Sequence, residues 1–211
     1  MTLALETTSA HGSLALLQED VVLMERALSA RHYASELFGA VAAALREHQL
    51  GLNDVDLFAV ADGPGSFTGV RIGLTAVKGW VEVLGRPAVA VSTLRAVAGL
   101  GTAPVIAALD ASRGEVYYGV YPQGAKAPEA AGVEEGMESQ ASFAARCERA
   151  GWPRRTPHAV VREACPGLEA APLLLAGAVG RLGLEDFRRG RRQTALELDA
   201  RYIRRPDAEM A

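Results

Sequence analysis

The chain has 211 residues, 49% of them hydrophobic, which suffices for one large domain or two small ones. Its 22 Lys and Arg face 25 Asp and Glu, a net charge of -3, whereas a chain that grips nucleic acid unaided carries a basic surplus to meet the phosphates. Cys147 and Cys165 match no zinc or CxxC spacing and read as free thiols of a reducing compartment.

The opening run is too short for a signal peptide and is broken by Glu6, and no charge-free window reaches membrane-spanning length. A soluble, cytoplasmic protein is expected. Residues 2–6, 14–17 and 21–28 read as three successive antiparallel strands, followed by a helix over 31–48. That helix has an apolar stripe at Ala34, Leu37, Phe38, Val41 and Leu45, and a second apolar side at Tyr33, Ala40 and Ala44. A helix apolar on two sides needs two covers, and a partner is expected to supply one of them.

Residues 55–61 form a short buried strand that ends in the run DGPGSFTGVRIGL. Pro64 breaks any regular element, and Ser66 or Thr68 can cap the helix that follows over 70–84. Gly69 and Gly73 stand one turn apart and flatten one helix face, at roughly 1 kcal/mol each against Ala. Such a face suits the close approach of another backbone. Arg71 opposes the helix dipole, so it calls for an anionic partner, pairs with Asp62 or reaches solvent.

A strand at 88–91 and a helix at 93–100 complete the first unit. A second begins with strands at 105–110 and 115–121, joined by Ala111-Ser112-Arg113-Gly114. Residues 122–136 read as loop, 139–150 as a helix capped by Ser139, 151–157 as irregular and 170–182 as a helix. The ending is rich in arginine (Arg188, Arg189, Arg191, Arg192, Arg201, Arg204, Arg205), either a solvated face paired with acids or a tRNA contact.

The stretch GPGSFTGVRIGLTAVKG at 63–79 resembles the signature of the bacterial TsaB (YeaZ) family. LALETTSAHGSLAL at 3–16, VSTL at 91–94, ALDASRGEVYYGVY at 108–121 and YIRR at 202–205 match in the expected order. The resemblance is dense over residues 1–121 and thin from there to about 195. It implies an α/β fold of two ribonuclease-H-like subdomains, as in actin, Hsp70 and sugar kinases. The first would span 1–100 and the second, reduced and too short for a full copy, 101–211, with the last helix packing back on the first.

The family resemblance further implies a non-catalytic scaffold or activator in making N6-threonylcarbamoyladenosine at position 37 of tRNA. TsaD would perform the transfer and TsaE would supply ATPase action. The chain would pair with TsaD through a helix bundle and with itself when alone, would meet tRNA only through the complex, and would touch no membrane. Tyr33, Leu37, Phe38, Val41, Gly69, Arg71, Gly73 and Leu74 form the expected partner surface. No catalytic residue, metal or cofactor of its own is expected, nucleotide being confined to the joint with TsaD.

Rival chemistries leave weaker marks. Glu6-Thr7-Thr8-Ser9 occupies the place where the superfamily handles the metal and phosphates of ATP, but with Glu where the family usually shows Asp. A stand-alone, actin-like ATP-binding enzyme is therefore the alternative, and a self-sufficient homodimeric chaperone-like module a third reading. There is no Walker loop, and the glycine loop is either an anion cradle or a tight turn. TsaD carries a His-x-x-x-His pair, whereas His11, His32, His48 and His158 show no ligand spacing; His32 packs, caps or touches a partner. Ser66 lacks a Gly-x-Ser-x-Gly elbow, which excludes a serine peptidase.

Overall fold

Period-two alternation organises the first sheet. In the computed structural model, which describes residues 1–29, 33–99, 104–122 and 130–204, β1 (Thr2–Glu6), β2 (Ser13–Gln18) and β3 (Val21–Ala27) form an antiparallel meander. After α1 (Tyr33–Glu47), β4 (Leu57–Gly63) pairs parallel with β1. After α2 (Phe67–Leu84), β5 (Ala88–Ser92) pairs parallel with β4, completing the order β3-β2-β1-β4-β5. Successive strand side chains point to opposite faces. Leu3, Leu5, Phe58 and Val60 therefore share one face, where they pack with Tyr33, Leu37 and Val41 of α1 and Val70, Leu74, Val77 and Trp80 of α2.

The chain divides into two compact units, Met1–Thr93 with Leu174–Arg201, and Leu94–Leu173 with the described residues from Tyr202 on. Residues 100–103, where a break was expected, lie outside the described residues, as do Arg31, His32 and Arg205.

The second unit holds α3 (Thr93–Ala98) from its second residue on, then β6 (Val105–Asp110), β7 (Glu115–Tyr121), β8 (Glu134–Ser139), α4 (Gln140–Ala150), β9 (Arg154–Thr156), α5 (Ala159–Ala164) and β10 (Glu169–Ala170). Its order is β8-β7-β6-β9-β10, with β6 to β8 antiparallel and β9 and β10 parallel additions. Every strand of the first sheet thus has a counterpart. The reduction lies in length: β9 has three residues and β10 two.

Three assignments change here. β8 begins inside the expected loop and runs up to the Ser139 cap, and its sequence, EEGMES, lacks apolar alternation. It is held by its neighbours: Tyr118 Oη donates to Glu134 at 2.5 Å, Tyr121 Oη to Glu135 at 2.5 Å, and Arg146 Nε to Glu138 at 2.7 Å. β9 and α5 fill a stretch expected to be irregular or left unassigned. The helix expected over 170–182 begins later.

That helix, α6 (Ala176–Arg188), belongs to the first unit and covers the opposite face of its sheet, against β1, β2, β4 and β5. Ala4 and Ala59 point there. A Cβ on Gly183 would lie 2.7 Å from Ala59 Cβ, and one on Gly180 would lie 3.1 Å from Ala4 Cβ. Small residues on both surfaces let this helix lie close to the strands. The arginines around it pair as a solvated basic face would: Arg188 with Asp20 at 2.8 Å, Arg189 with Glu185 at 2.7 Å and Arg191 with buried Asp186 at 2.8 Å.

Candidate functional site

The polar turn between β1 and β2 is tied to both surface helices of the first unit. Glu6 ends β1 with 0% exposure. Thr8 donates to its Oε1 twice, from the backbone N at 2.5 Å and from Oγ1 at 2.6 Å, while Ser9 Oγ reaches Oε2 at 3.1 Å. Burial raises the Glu6 pKa from 4.5, and these hydrogen bonds oppose that rise. Thr93 Oγ1 backs the cluster, 3.1 Å from Thr8 Oγ1.

Tyr33, at the start of α1, closes the turn. Its hydroxyl donates to Ser9 O at 2.7 Å and accepts from Gly12 N at 2.7 Å. Gly12 is required here, since a Cβ would sit 2.6 Å from Tyr33 Cζ. Burial pushes the Tyr33 hydroxyl up to about 12.

The start of α2 packs on the same turn. Ser66 is the N-cap and accepts from Gly69 N at 3.2 Å, while its own N donates to Thr8 O at 2.6 Å. Thr7 Oγ1 donates to Gly69 O at 2.7 Å. A Cβ on Gly73 would lie 2.5 Å from Thr7 Oγ1, and one on Gly69 would lie under 3.0 Å from the Thr7 carbonyl oxygen. The smooth side of α2 therefore faces inward. This corrects the placement of Gly69 and Gly73 on a partner surface: the close backbone they admit is the chain's own. The turn also offers a poor fit to nucleotide phosphates, because Glu6 takes Thr8 N, Thr8 Oγ1 and Ser9 Oγ, Tyr33 takes Gly12 N, and Thr8 O takes Ser66 N.

The rest of the expected partner surface divides. Tyr33, Leu37, Val41 and Leu74 are buried in their own unit, and Ala44, on the supposed second side of α1, is buried with them. Phe38 is 57% exposed and meets Trp80 edge to face, with ring centroids 5.9 Å apart. Arg71 is exposed and lies over the Phe67 ring, 3.8 Å from its centroid, while Asp62 meets Arg201 at 3.5 Å. On the outer sides, Ala34, Phe38 and Ala42 form one exposed row and Arg71, Thr75, Gly79 and Val83 another, each at a spacing of four.

Sequence reading missed Gly39 and Gly79. Both lie inside helices, and nothing among the described residues comes within 4 Å of a Cβ built on either. Their interior helical positions were the available signal, but helix spacing does not say which glycine meets protein and which meets open space. The second hairpin turns through Ser112 and Arg113, both at positive φ (61° and 56°), and Asp110 Oδ1 accepts from Ser112 N at 2.9 Å. Among the described residues no group of His, Cys, Asp and Glu could hold a metal ion. None of the described helices is long and apolar enough to cross a membrane.

Two sheets that repeat one strand order, three antiparallel strands extended by two parallel ones, define a paired ribonuclease-H-like protein of the actin and sugar-kinase class. Residues 26–137 match the family described as "TsaD: tRNA N6-adenosine threonylcarbamoyltransferase". The tRNA threonylcarbamoyladenosine biosynthesis protein TsaB of Bacillus subtilis is 36% identical over 126 residues, 56% of this chain and 54% of that protein. The Escherichia coli protein of the same name is 33% identical over 144 residues, 66% of this chain and 60% of that protein. The chain spans about half the length of the curated relatives it matches. A crystal structure of an uncharacterized Pseudomonas aeruginosa protein with similarity to peptidase YeaZ superposes with a TM-score of 0.77 at 30% identity, covering 96% of this chain and 99% of that one. The chain belongs to the TsaB (YeaZ) family.

Proposed function

We propose that the chain is a non-catalytic subunit of the machinery that makes N6-threonylcarbamoyladenosine in tRNA, and that it docks a TsaD-type transferase on the outer face of α1 and α2. Two relatives named for this biosynthesis support the pathway. The observation that carries the surface is the exposed Phe38 with Gly39 beside it and Gly79 on the facing helix, both glycines opening onto empty space. Each glycine costs its helix about 1 kcal/mol against Ala, with no close contact to it among the described residues. Close approach of a partner helix would recover that cost, as in a four-helix bundle. In this reading TsaE supplies ATPase action, tRNA is met through the complex in the cytoplasm, the free chain pairs with itself, and no residue here touches the reacting atoms.

The test is co-purification with the transferase from the same organism. Phe38→Asp with Gly79→Leu should abolish capture while leaving the unfolding midpoint of the chain within a few degrees of the parent. Undiminished capture by that variant refutes the surface. Leu37→Asp is unsuitable, because Leu37 is core and its replacement would unfold the first unit. The rival ATP enzyme needs the donors of the β1–β2 turn free, and nothing at that turn favours it.

A further inference from the structure

The β1–β2 turn has the makings of an anion site: a backbone N–H and two hydroxyls, Thr8 N, Thr8 Oγ1 and Ser9 Oγ, converge on one pair of oxygens. Those oxygens belong to Glu6, on the same chain. Nearby, Gly12 N donates to Tyr33 and Ser66 N to Thr8 O. A carboxyl that is 0% exposed is retained only where hydrogen bonds replace its lost water, and here each hydrogen bond reaching it comes from a donor.

We propose that the β1–β2 turn is an oxyanion site that the chain fills with its own Glu6 carboxylate. The side chain acts as a tethered ligand, so the turn is closed to the phosphates of a nucleotide and serves as a fixed joint between α1 and α2. Its connections to the two helices are the Tyr33 hydroxyl, the Thr7–Gly69 hydrogen bond and the bond from Ser66 N to Thr8 O. The Glu6 carboxylate folds back over the next residues and reaches Thr8 N, Thr8 Oγ1 and Ser9 Oγ together. This inference stands apart from the proposed partner, since it concerns only groups within the first unit.

Removing the tethered ligand should create a site for a free one. Glu6→Ala deletes the equivalent of one acetate ion and leaves the Thr8 and Ser9 donors in place. Thermal unfolding of the variant is followed in sodium acetate and, separately, in sodium phosphate, against sodium chloride at equal ionic strength. The expected result is a saturable rise in midpoint with acetate, absent in chloride and absent for the parent chain. A matching rise with phosphate would show that the vacated turn also takes tetrahedral oxyanions. A folded Glu6→Ala protein indifferent to both anions overturns the proposal, as does an equal anion response in the parent. Should Glu6→Ala fail to fold in chloride, its refolding yield in acetate is measured instead. Saturable recovery supports the tethered-ligand reading, and equal failure in both salts overturns it.

Discussion

The inner and outer glycines of α2 should respond to the same substitution with opposite signs. Gly79→Ala adds a methyl group to open space and removes a weak helix former, for a gain of about 1 kcal/mol. Gly69→Ala makes the same propensity gain but drives its methyl group into the Thr7 carbonyl oxygen. Backbone cannot swing aside as a long side chain can, so α2 must lift off the turn. That movement gives up Thr7 Oγ1–Gly69 O at 2.7 Å and Ser66 N–Thr8 O at 2.6 Å, about 1 kcal/mol apiece. Overpacking adds roughly 1–3 kcal/mol. Less the propensity gain, the net loss is about 2–4 kcal/mol. For a urea dependence near ~2 kcal/mol per molar, the midpoint should fall by about 1–2 M.

Trp80 is the natural reporter, since it stacks on Phe58 at 5.5 Å and would feel any movement of α2. Equilibrium unfolding in a Trp152→Phe background leaves it as the sole tryptophan. A Gly69→Ala protein as stable as the parent, or stabilised like Gly79→Ala, would refute the packing of α2 on the turn.

Other substitutions separate core from surface. Leu37→Ala should cost about 2–5 kcal/mol in the same unfolding assay, whereas Phe38→Ala should cost under about 1 kcal/mol and act on partner capture instead. Tyr33→Phe strips the Gly12 amide and the Ser9 carbonyl of their partner, and a loss of about 1–3 kcal/mol is expected. Burial raises Tyr33 and Tyr118 to about 12 and also raises Tyr117, so ultraviolet titration should show these three tyrosines late, with Tyr33 missing in Tyr33→Phe. Between the ordinary value near 10 and about 12 the folded chain holds protons that the unfolded chain has released, so these groups should make stability fall as pH rises through that window. Burial likewise raises the thiols of Cys147 and Cys165, which should react slowly with a disulfide reagent until the second unit unfolds. Rapid labelling of the native chain would contradict that burial.

Much of the fold could be read in the residues themselves. The alternation in β1, the apolar run of β4 and the 3.6-residue spacing of α2 each report how a segment meets its own core, and all three were legible. The glycine-rich signature also identified the family before any geometry was known. β8 was not legible, because a strand of EEGMES owes its place to Tyr118, Tyr121 and Arg146, which come from other elements. Which faces of α1 and α2 stay exposed was half legible for the same reason. Periodicity places Gly69, Gly73 and Gly79 on α2 and shows which share a stripe, yet it is blind to what lies across from each stripe. The sequence by itself determined most elements of the first unit, the paired architecture and the family. Only the tertiary structure decided that two of these glycines meet Thr7 and the third meets open space, because contact across elements depends on the placement of other segments, which local spacing does not encode.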